Sequence, residues 1–295
     1  MDPRMLQASL LELVRRTSCD LPQDVEAVIE AAFAREARDT TARYALEVVR
    51  KNIALAREKN LPVCQDTGTI LFYVTGPKGL DMQAFRKAGD AAVKLATARG
   101  FLRQNSVDSL TGKNSGTNLG PGSPVYHFSQ APRRTIEVRL MLKGGGCENM
   151  GIQYSLPNGA LSAGRDMKGV EKCILDAVFK AQGKGCAPGI LGVCIGGDRA
   201  TGYANSKEQL LRTLDDQNPD RELAGLEARV MKKANELGIG PMGFGGRTTL
   251  LGCKIGALNR LPASYFVSVS YMCWAYRRRG CVIGEEGKLS RWIYA

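Results

Sequence analysis

Apolar side chains recur at helical spacing in the first sixty residues of the chain. Six of them alternate with charged residues in one short segment: Ala45, Leu46, Val48, Val49, Ile53 and Leu55. Such spacing is typical of an amphipathic helix. The tripeptide at residues 60–62 (NLP) then interrupts the pattern, because proline cannot continue a helix. We therefore predict a helical N-terminal segment over residues 1–60.

Strand and helix patterns alternate over the rest of the chain. Apolar runs or apolar–polar alternation predict strands at residues 70–74, 136–142, 190–195 and 265–271. Helical patterns cover residues 81–99, 168–182, a segment ending at about 213, and 221–237. This order predicts an α/β (α+β) fold, in which a mixed sheet is flanked by helices. We find no internal repeat or linker and predict one domain over residues 1–295.

Glycine-rich loops follow several of the predicted strands. The segments GGGCENMG and IGGDRATG lack the spaced glycines of a dinucleotide fingerprint. The loop GPMGFGGRTT places Gly246–Arg247 where a P-loop requires Gly–Lys. Each loop is either a tight turn or a nest of backbone amides that binds an anion. A longer segment over residues 105–124 is rich in Gly, Asn, Ser and Thr, and loops of this length are usually functional or disordered.

Composition and cysteine count indicate an intracellular protein. The first twenty residues lack the apolar centre of a signal peptide, and no apolar run reaches the ~20 residues of a membrane span. Nine cysteines without an export signal argue against a disulfide framework. We therefore expect a cytoplasmic protein that does not bind membranes, whose cysteines are either buried or hold a metal.

The net charge of +12 favours anionic partners, from nucleic acid to acidic metabolites. Nucleic-acid binders usually concentrate their basic residues in blocks or stripes. Here lysines and arginines alternate with acids, and Arg277–Arg279 is the single tight run. We therefore do not expect a nucleic-acid partner.

Candidate catalytic groups are few in type. His127 is the only histidine, so acid–base chemistry falls mainly to carboxylates, lysines, tyrosines or hydroxyls. No CxxC pair occurs, which removes the local signature of zinc ribbons and ferredoxins. Cys64, Cys186 and Cys273 each stand in a turn-like context, and thiolates from distant segments can together hold an iron–sulfur cluster. From composition alone, buried structural cysteines are the simpler explanation.

A series of motifs over residues 40–280 resembles class I fumarases and is similar also to the alpha subunit of L-tartrate dehydratase. The motifs occur in the same order as in that family: PVCQDTGTILFYV, LTGKNSGTN, LKGGGCENMG, CAPGILGVCIGGDRATGYANSKEQLLRTLDD, LGIGPMGFGGRTTLLG and YMCWAYRRRG. The resemblance implies a hydro-lyase that reversibly hydrates fumarate to malate. Tartrate and mesaconate are the alternative substrates within the class. An iron–sulfur protein that binds RNA or acts as a sensor is the alternative from another class.

The resemblance also implies a cofactor and its ligands. A 4Fe–4S cluster would be held by Cys64, Cys186 and Cys273, leaving one iron open to the substrate. Cys253 competes for the third position, but the CWAYRR context around Cys273 is closer to the family's ligand motif. The remaining five cysteines are interpreted as structural: Cys19, Cys147, Cys173, Cys194 and Cys281.

The same resemblance assigns the substrate contacts. Gln65, Asp66, Arg103 and the backbone of Gly146 would contact the substrate, and Asp66 would transfer the proton of the hydroxyl group. Arginine suits this task because its planar guanidinium can hold a carboxylate with two hydrogen bonds.

Partners follow from what related enzymes contain. Class I enzymes have a second catalytic domain that carries further basic residues and a base. We therefore expect that this domain is a separate beta subunit or has been left out of this chain. We also expect a small dicarboxylate substrate and a homodimer of heterodimers. This chain alone should be nearly inactive.

Overall fold

The computed structural model describes residues 1–294, and within them the chain divides into two compact units. Unit 1 combines residues 1–23 and 51–145 with the segment from residue 275 onward. Unit 2 combines residues 24–50 with 146–274. That the whole chain acts as one domain stays a prediction.

The helices and strands alternate along the sequence. The α-helices are α1 Pro3–Cys19, α2 Gln23–Arg35, α3 Thr41–Lys59, α4 Met82–Ala98, α5 Gly145–Asn149, α6 Met167–Ala181, α7 Arg199–Gln209 and α8 Arg221–Glu236. The strands are β1 Thr69–Gly76, β2 Val125–Gln130, β3 Ile136–Lys143, β4 Ile152–Ser155, β5 Gly189–Gly196, β6 Leu250–Leu258, β7 Phe266–Met272, β8 Arg278–Ile283 and β9 Leu289–Ile293.

Unit 1 is built on a five-stranded sheet of order β2-β1-β3-β8-β9. Strand β1 runs parallel to β2 and antiparallel to β3. The alternating side chains of β3 are buried at Ile136, Val138 and Leu140, as the sequence pattern predicts. Helices α1 and α4 contribute apolar side chains to the same core, including Leu10 and Phe85. Asp2 and Asp81 cap the N-termini of these helices, which satisfies backbone amides that have no partner within the helix.

Unit 2 is built on a four-stranded sheet of order β4-β7-β5-β6. All eight residues of β5 are buried, and this strand is parallel to β6 and antiparallel to β7. Helix α7 approaches β5 closely because Gly192 has no side chain: a Cβ there would collide with the carbonyl oxygen of Ser206. The apolar faces of α6 and α8 complete the core, with Ile174 and Val230 fully buried.

The predicted α/β class with a helical N-terminal part is confirmed. The strands form two mixed sheets rather than the single one expected. Strand β8 was not predicted, because it begins with Arg278 and Arg279 and therefore does not resemble a buried strand. Among residues 1–294, no helix is both long and apolar enough to cross a membrane.

Candidate active site

The start of β1 and the end of β3 lie at the same edge of the sheet in unit 1. Thr69 on β1 pairs with Lys143 on β3, so the segment before β1 and the glycine turn after β3 come together. Gly68 permits this approach with a φ of +73°, and a Cβ there would collide with the carbonyl oxygen of Lys143. The pairing of two strands thus juxtaposes the motifs CQDTG and GGG, which are about 75 residues apart in sequence.

Asp66 is held through both oxygens of its carboxylate at this edge. The backbone N–H of Gly145 donates to Oδ2 at 2.6 Å. The side-chain amide of Asn105 donates to Oδ1, also at 2.6 Å. Both are short hydrogen bonds to a charged acceptor, which are stronger than those between neutral groups. The carboxylate of Asp66, which is half-buried, is therefore fixed in orientation.

Arg103 and Gln65 meet beside Asp66. The guanidinium Nη1 of Arg103 donates to Oε1 of Gln65 at 2.9 Å, and both side chains are exposed. The carbonyl oxygen of Arg103 accepts hydrogen bonds from Oγ1 of Thr67 at 2.6 Å and from Nδ2 of Asn118 at 2.9 Å. Unit 1 thus brings together three of the predicted substrate contacts, with Cys64 next to Gln65 along the chain.

The arginine run of YMCWAYRRRG lies inside unit 1. Arg279 donates to Asp20 at 2.7 Å and to the carbonyl oxygens of Tyr294 and Leu21. Arg278 is fully buried, with its guanidinium over the ring of Tyr294. The single tight basic run of the sequence is therefore part of the interior.

Arg277, the first residue of that run, lies near the Asp66 carboxylate. Its carbonyl oxygen accepts from the backbone N–H of Leu142, which places it at the end of β3. A Cβ added to Gly144 would lie 3.0 Å from Oδ2 of Asp66 and 3.9 Å from Nη2 of Arg277. The Arg277 side chain is 1% exposed, and its Nε and Nη1 find no hydrogen-bond partner among residues 1–294. This guanidinium therefore adds positive charge to the edge that holds Asp66.

Two of the predicted cluster ligands lie together in unit 2. Cys186 is exposed and has a φ of +54°, an unfavourable conformation for a residue with a side chain. Its carbonyl oxygen accepts from the backbone N–H of Trp274 at 3.5 Å, so its turn lies against the residue that follows Cys273. Cys273 is 7% exposed and comes directly after β7. Gly146, the predicted backbone donor, is the first residue of the second segment of unit 2, residues 146–274.

Tyr271 marks the same region of unit 2. Burial raises the pKa of its hydroxyl, and the negative form of three neighbouring cysteines adds to the increase: Cys273, Cys147 and Cys186. Cys147, which we interpreted as structural, is therefore a neighbour of two predicted ligands.

The other cysteines are enclosed, and their thiols are poor metal ligands in that setting. Burial raises the pKa of Cys19 and Cys173 to about 11 and that of Cys194 and Cys281 to about 12. Burial also raises the pKa of Cys253, which lies within the core of unit 2 at 3% exposure. Metals bind the thiolate form of cysteine, so burial that keeps a thiol protonated disfavours metal binding.

The three cysteines predicted as ligands offer sulfur, the type of donor that a soft metal centre requires. Cys64 is half-buried and Cys186 exposed, in contrast to the enclosed thiols described above. Within residues 1–294, none of the nine cysteines is in a disulfide, and no group of three His, Cys, Asp or Glu side chains is close enough to hold a single metal ion. Thiolates, the donors that these cysteines would offer, select iron–sulfur clusters and other soft centres.

In two of the glycine loops, backbone N–H groups donate hydrogen bonds to carboxylates of the same unit. The loop GFGGRTT directs the backbone N–H groups of Arg247 and Thr248 at the carboxylate of Glu36, at 2.9–3.0 Å. The turn IGGDRATG places Asp198 as the N-cap of α7, paired with Thr201 in a capping box. Both loops are therefore structural turns, and the first encloses an internal anion.

His127 lies on β2, the edge strand of the unit 1 sheet. Its ring is exposed and stacks on the ring of Tyr73, with centroids 4.6 Å apart. This agrees with the simpler interpretation of a lone histidine as a packed surface residue.

Three contributors to the Asp66 edge were not predicted individually. They are Asn105, Asn118 and the backbone N–H of Gly145. For the two asparagines the signal was the density of Asn, Ser, Thr and Gly over residues 105–124, and for Gly145 it was the glycine turn after β3. Neither signal indicated which amides matter.

Comparison with known proteins identifies the family. A family model described as fumarate hydratase (Fumerase) matches residues 7–282, nearly the whole chain. The chain therefore belongs to the class I fumarate hydratase family, a family of hydro-lyases.

Individual relatives fall into two kinds. A proposed class I fumarate hydratase from Geobacillus stearothermophilus is 52% identical over 98% of this chain, which spans 57% of that protein's length. A proposed L(+)-tartrate dehydratase alpha subunit from Methanocaldococcus jannaschii is 33% identical over 95% of this chain and 98% of its own length. The L(+)-tartrate dehydratase alpha subunit of Escherichia coli is 31% identical over 77% of this chain and 74% of its own.

Proposed function

We propose that this chain is the cluster-binding part of a hydro-lyase that reversibly converts fumarate to (S)-malate. The observation that carries the proposal is the fixed carboxylate of Asp66, beside an Arg103–Gln65 pair and two residues from Cys64. A dicarboxylate requires a cationic group to bind it and a carboxylate or similar group to move the hydroxyl proton. Unit 1 provides both.

In this proposal a 4Fe–4S cluster is held by Cys64, Cys186 and Cys273. When bound, such a cluster supplies a Lewis acid for the hydroxyl group of the substrate. The exposure of Cys186 supports its place in this set, and the contact of its turn with Trp274, the residue after Cys273, supports Cys273 over Cys253. Iron content after anaerobic reconstitution, measured for an alanine variant of each of the nine cysteines, tests it. Full occupancy in Cys273→Ala together with loss in Cys253→Ala would exclude Cys273 as the third ligand.

The protein's own groups have distinct roles in the proposed reaction. Arg103 binds one substrate carboxylate through its guanidinium. The backbone N–H of Gly146 donates to the substrate from the turn after β3. In the hydration direction the Asp66 carboxylate accepts a proton from the attacking water, and in the dehydration direction Asp66 in its protonated form returns that proton to the departing hydroxyl. Each role requires the group to lie within hydrogen-bonding distance of the substrate. For Asp66, the fixed orientation of its carboxylate favours this placement.

A second chain completes the site in this proposal. The curated tartrate dehydratases that match are named alpha subunits, and the Geobacillus relative extends well beyond the matched region. We propose a beta subunit that supplies the base and further basic residues, in a cytoplasmic homodimer of heterodimers. The cluster-loaded chain alone should show little fumarase activity, and co-expression with the proposed beta subunit should restore that activity. Equal activity of the single chain and the complex would refute the requirement for a partner.

Tartrate dehydratase is the second candidate, because the M. jannaschii relative matches along nearly its whole length. Higher identity to the fumarate hydratase favours fumarate. Comparing kcat/KM of the complex for malate, L-tartrate and mesaconate distinguishes the three substrates.

A further inference from the structure

Asn105 makes a hydrogen bond whose partner lies far from its own loop. Its side-chain amide reaches the carboxylate of Asp66 at 2.6 Å, across 39 residues of sequence. Asn114, a second asparagine of the same loop, bonds instead to its neighbours, the carbonyl oxygen of Gln104 and the N–H of Gly116. The loop therefore directs one amide toward the candidate site while another stabilises the loop itself.

Asn118 fixes the backbone on which Asn105 stands. Its side chain is 2% exposed, and its Oδ1 accepts from the backbone N–H of Asn105 at 2.7 Å. Its Nδ2 donates to Oγ1 of Thr97 at 3.0 Å and to the carbonyl oxygen of Arg103 at 2.9 Å. One buried amide thus holds the two backbone groups that flank Gln104, and its donors and acceptor are all used.

The conformation of Asn118 requires a particular kind of residue. Its φ is +60°, in the left-handed region that asparagine tolerates better than other residues with side chains. Because the side chain is buried and hydrogen-bonded at both ends, residues 103–105 are held in one arrangement relative to Thr97 on α4. That arrangement presents the Arg103 guanidinium to Gln65 and the Asn105 amide to Asp66.

We propose that Asn105 is a positioning residue that holds the Asp66 carboxylate for proton transfer, and that Asn118 sets Asn105 and Arg103 in place together. The inference rests on the proposed function, in which Asp66 moves the hydroxyl proton. The second oxygen of Asp66 is already held by the N–H of Gly145, so Asn105 removes the remaining rotational freedom of the carboxylate. A side chain that must meet a substrate at hydrogen-bonding distance loses rate when this orientation is lost.

The test uses the cluster-loaded complex with its partner subunit, assayed anaerobically with malate and fumarate. Asn105→Ala should lower kcat about 10- to 100-fold, the effect expected for one hydrogen bond to a charged group, and should change KM less than about 3-fold. Asn205→Ala is the control, because its amide bonds to Glu208 and Gln209 in unit 2, and it should retain both constants. Iron content should equal that of the wild type, which separates an effect on Asp66 from cluster loss near Cys64.

A double-mutant cycle separates positioning from a general structural effect. If Asn105 acts only through Asp66, Asn105→Ala should lower kcat by less than about 3-fold in an Asp66→Asn background, since the carboxylate is already gone. A merely structural role for Asn105 would lower kcat by the same factor in both backgrounds, and that result would overturn the proposal.

Asn118→Gly tests the shared support. Glycine accepts the positive φ and removes only the amide, so the variant should fold. It should lower kcat and raise KM, because the N–H of Asn105 loses its acceptor and the carbonyl oxygen of Arg103 loses one of its two donors. A change in neither constant would refute the role of Asn118. Wild-type kcat in Asp66→Asn would instead refute the proposed function, whereas loss in that variant with wild-type kcat in Asn105→Ala would refute this inference alone.

Discussion

Replacing Asp66 by asparagine removes the carboxylate while keeping its shape and most of its contacts. The Oδ1 of the new asparagine can accept from the N–H of Gly145. Its Nδ2 can donate to the amide oxygen of Asn105 once that side chain is rotated by half a turn, since both ends of an amide are available. The substitution should therefore leave the fold of this edge intact.

The expected magnitudes differ sharply between stability and rate. Two hydrogen bonds to a charge become two between neutral groups, which for a half-buried side chain costs about 1 kcal/mol of folding free energy. Loss of general acid–base catalysis is typically worth ~10²–10⁴-fold in rate, or about 3–5 kcal/mol of activation free energy. The catalytic effect should thus exceed the structural one several-fold.

The assay compares kcat and KM of the wild-type and Asp66→Asn complexes, both loaded with cluster under anaerobic conditions. KM should change little, because Arg103 and Gly146 are untouched. Denaturant unfolding of the two chains gives the stability difference. A turnover number within 3-fold of the wild type would refute the assignment of Asp66 as the proton-transfer group. A stability loss above about 3 kcal/mol would refute the claim that the fold is preserved.

Further predictions concern binding, cofactor, stability and pH. Arg103→Lys should raise KM about 10-fold with kcat nearly unchanged, because an ammonium cannot form the paired hydrogen bonds of a guanidinium; unchanged KM would contradict this. Activity should fall on exposure to air and return with ferrous iron and thiol, whereas air-stable activity of iron-free protein would exclude the cluster. Arg279→Met should lower the free energy of unfolding by about 2 kcal/mol, since the carbonyl oxygens of Leu21 and Tyr294 lose their donor while Asp20 keeps its ion pair with Arg57; a loss below about 0.5 kcal/mol would contradict that. Burial by itself would raise the pKa of Asp216, but Arg212 and Lys254 hold this pKa below the ordinary value of 3.8. The contribution of Asp216 to stability is therefore complete above pH ~5 and is lost as the pH falls below ~4. Asp216→Asn should abolish this part of the pH dependence when the free energy of unfolding is measured across an acid titration.

Much of the fold was predictable because the periodicity of apolar residues reflects burial directly. The alternation at Ile136, Val138 and Leu140 and the helical spacing of residues 41–59 correspond to β3 and α3. Strand β8 was not predictable in the same way, because a buried strand that starts with arginines contradicts the usual relation between charge and exposure. These arginines are tolerated only through long-range partners such as Asp20 and Tyr294, which the local sequence does not reveal.

The candidate site was predicted in its residue types more than in its geometry. The resemblance named Gln65, Asp66 and Arg103, and the structure adds how they are held. The pairing of Thr69 with Lys143 decides which segments meet at the Asp66 edge, and such a register depends on the whole sheet. No local pattern indicates that Asn105 rather than Asn114 contacts the carboxylate.

The two ends of the described chain complete the same unit, and this has a consequence for synthesis on the ribosome. Strand β8 pairs with β3, Arg279 bonds to Asp20, and the hydroxyl of Ser9 on α1 donates to the carbonyl oxygen of Gly287. The sheet of unit 1 therefore lacks its inner strand β8 and its edge strand β9 until residues 278–293 have emerged from the ribosome. The four-stranded sheet of unit 2 is complete by residue 272. Nascent chains truncated before β8 should expose the open edge of β3, a surface that favours association with other chains or with chaperones.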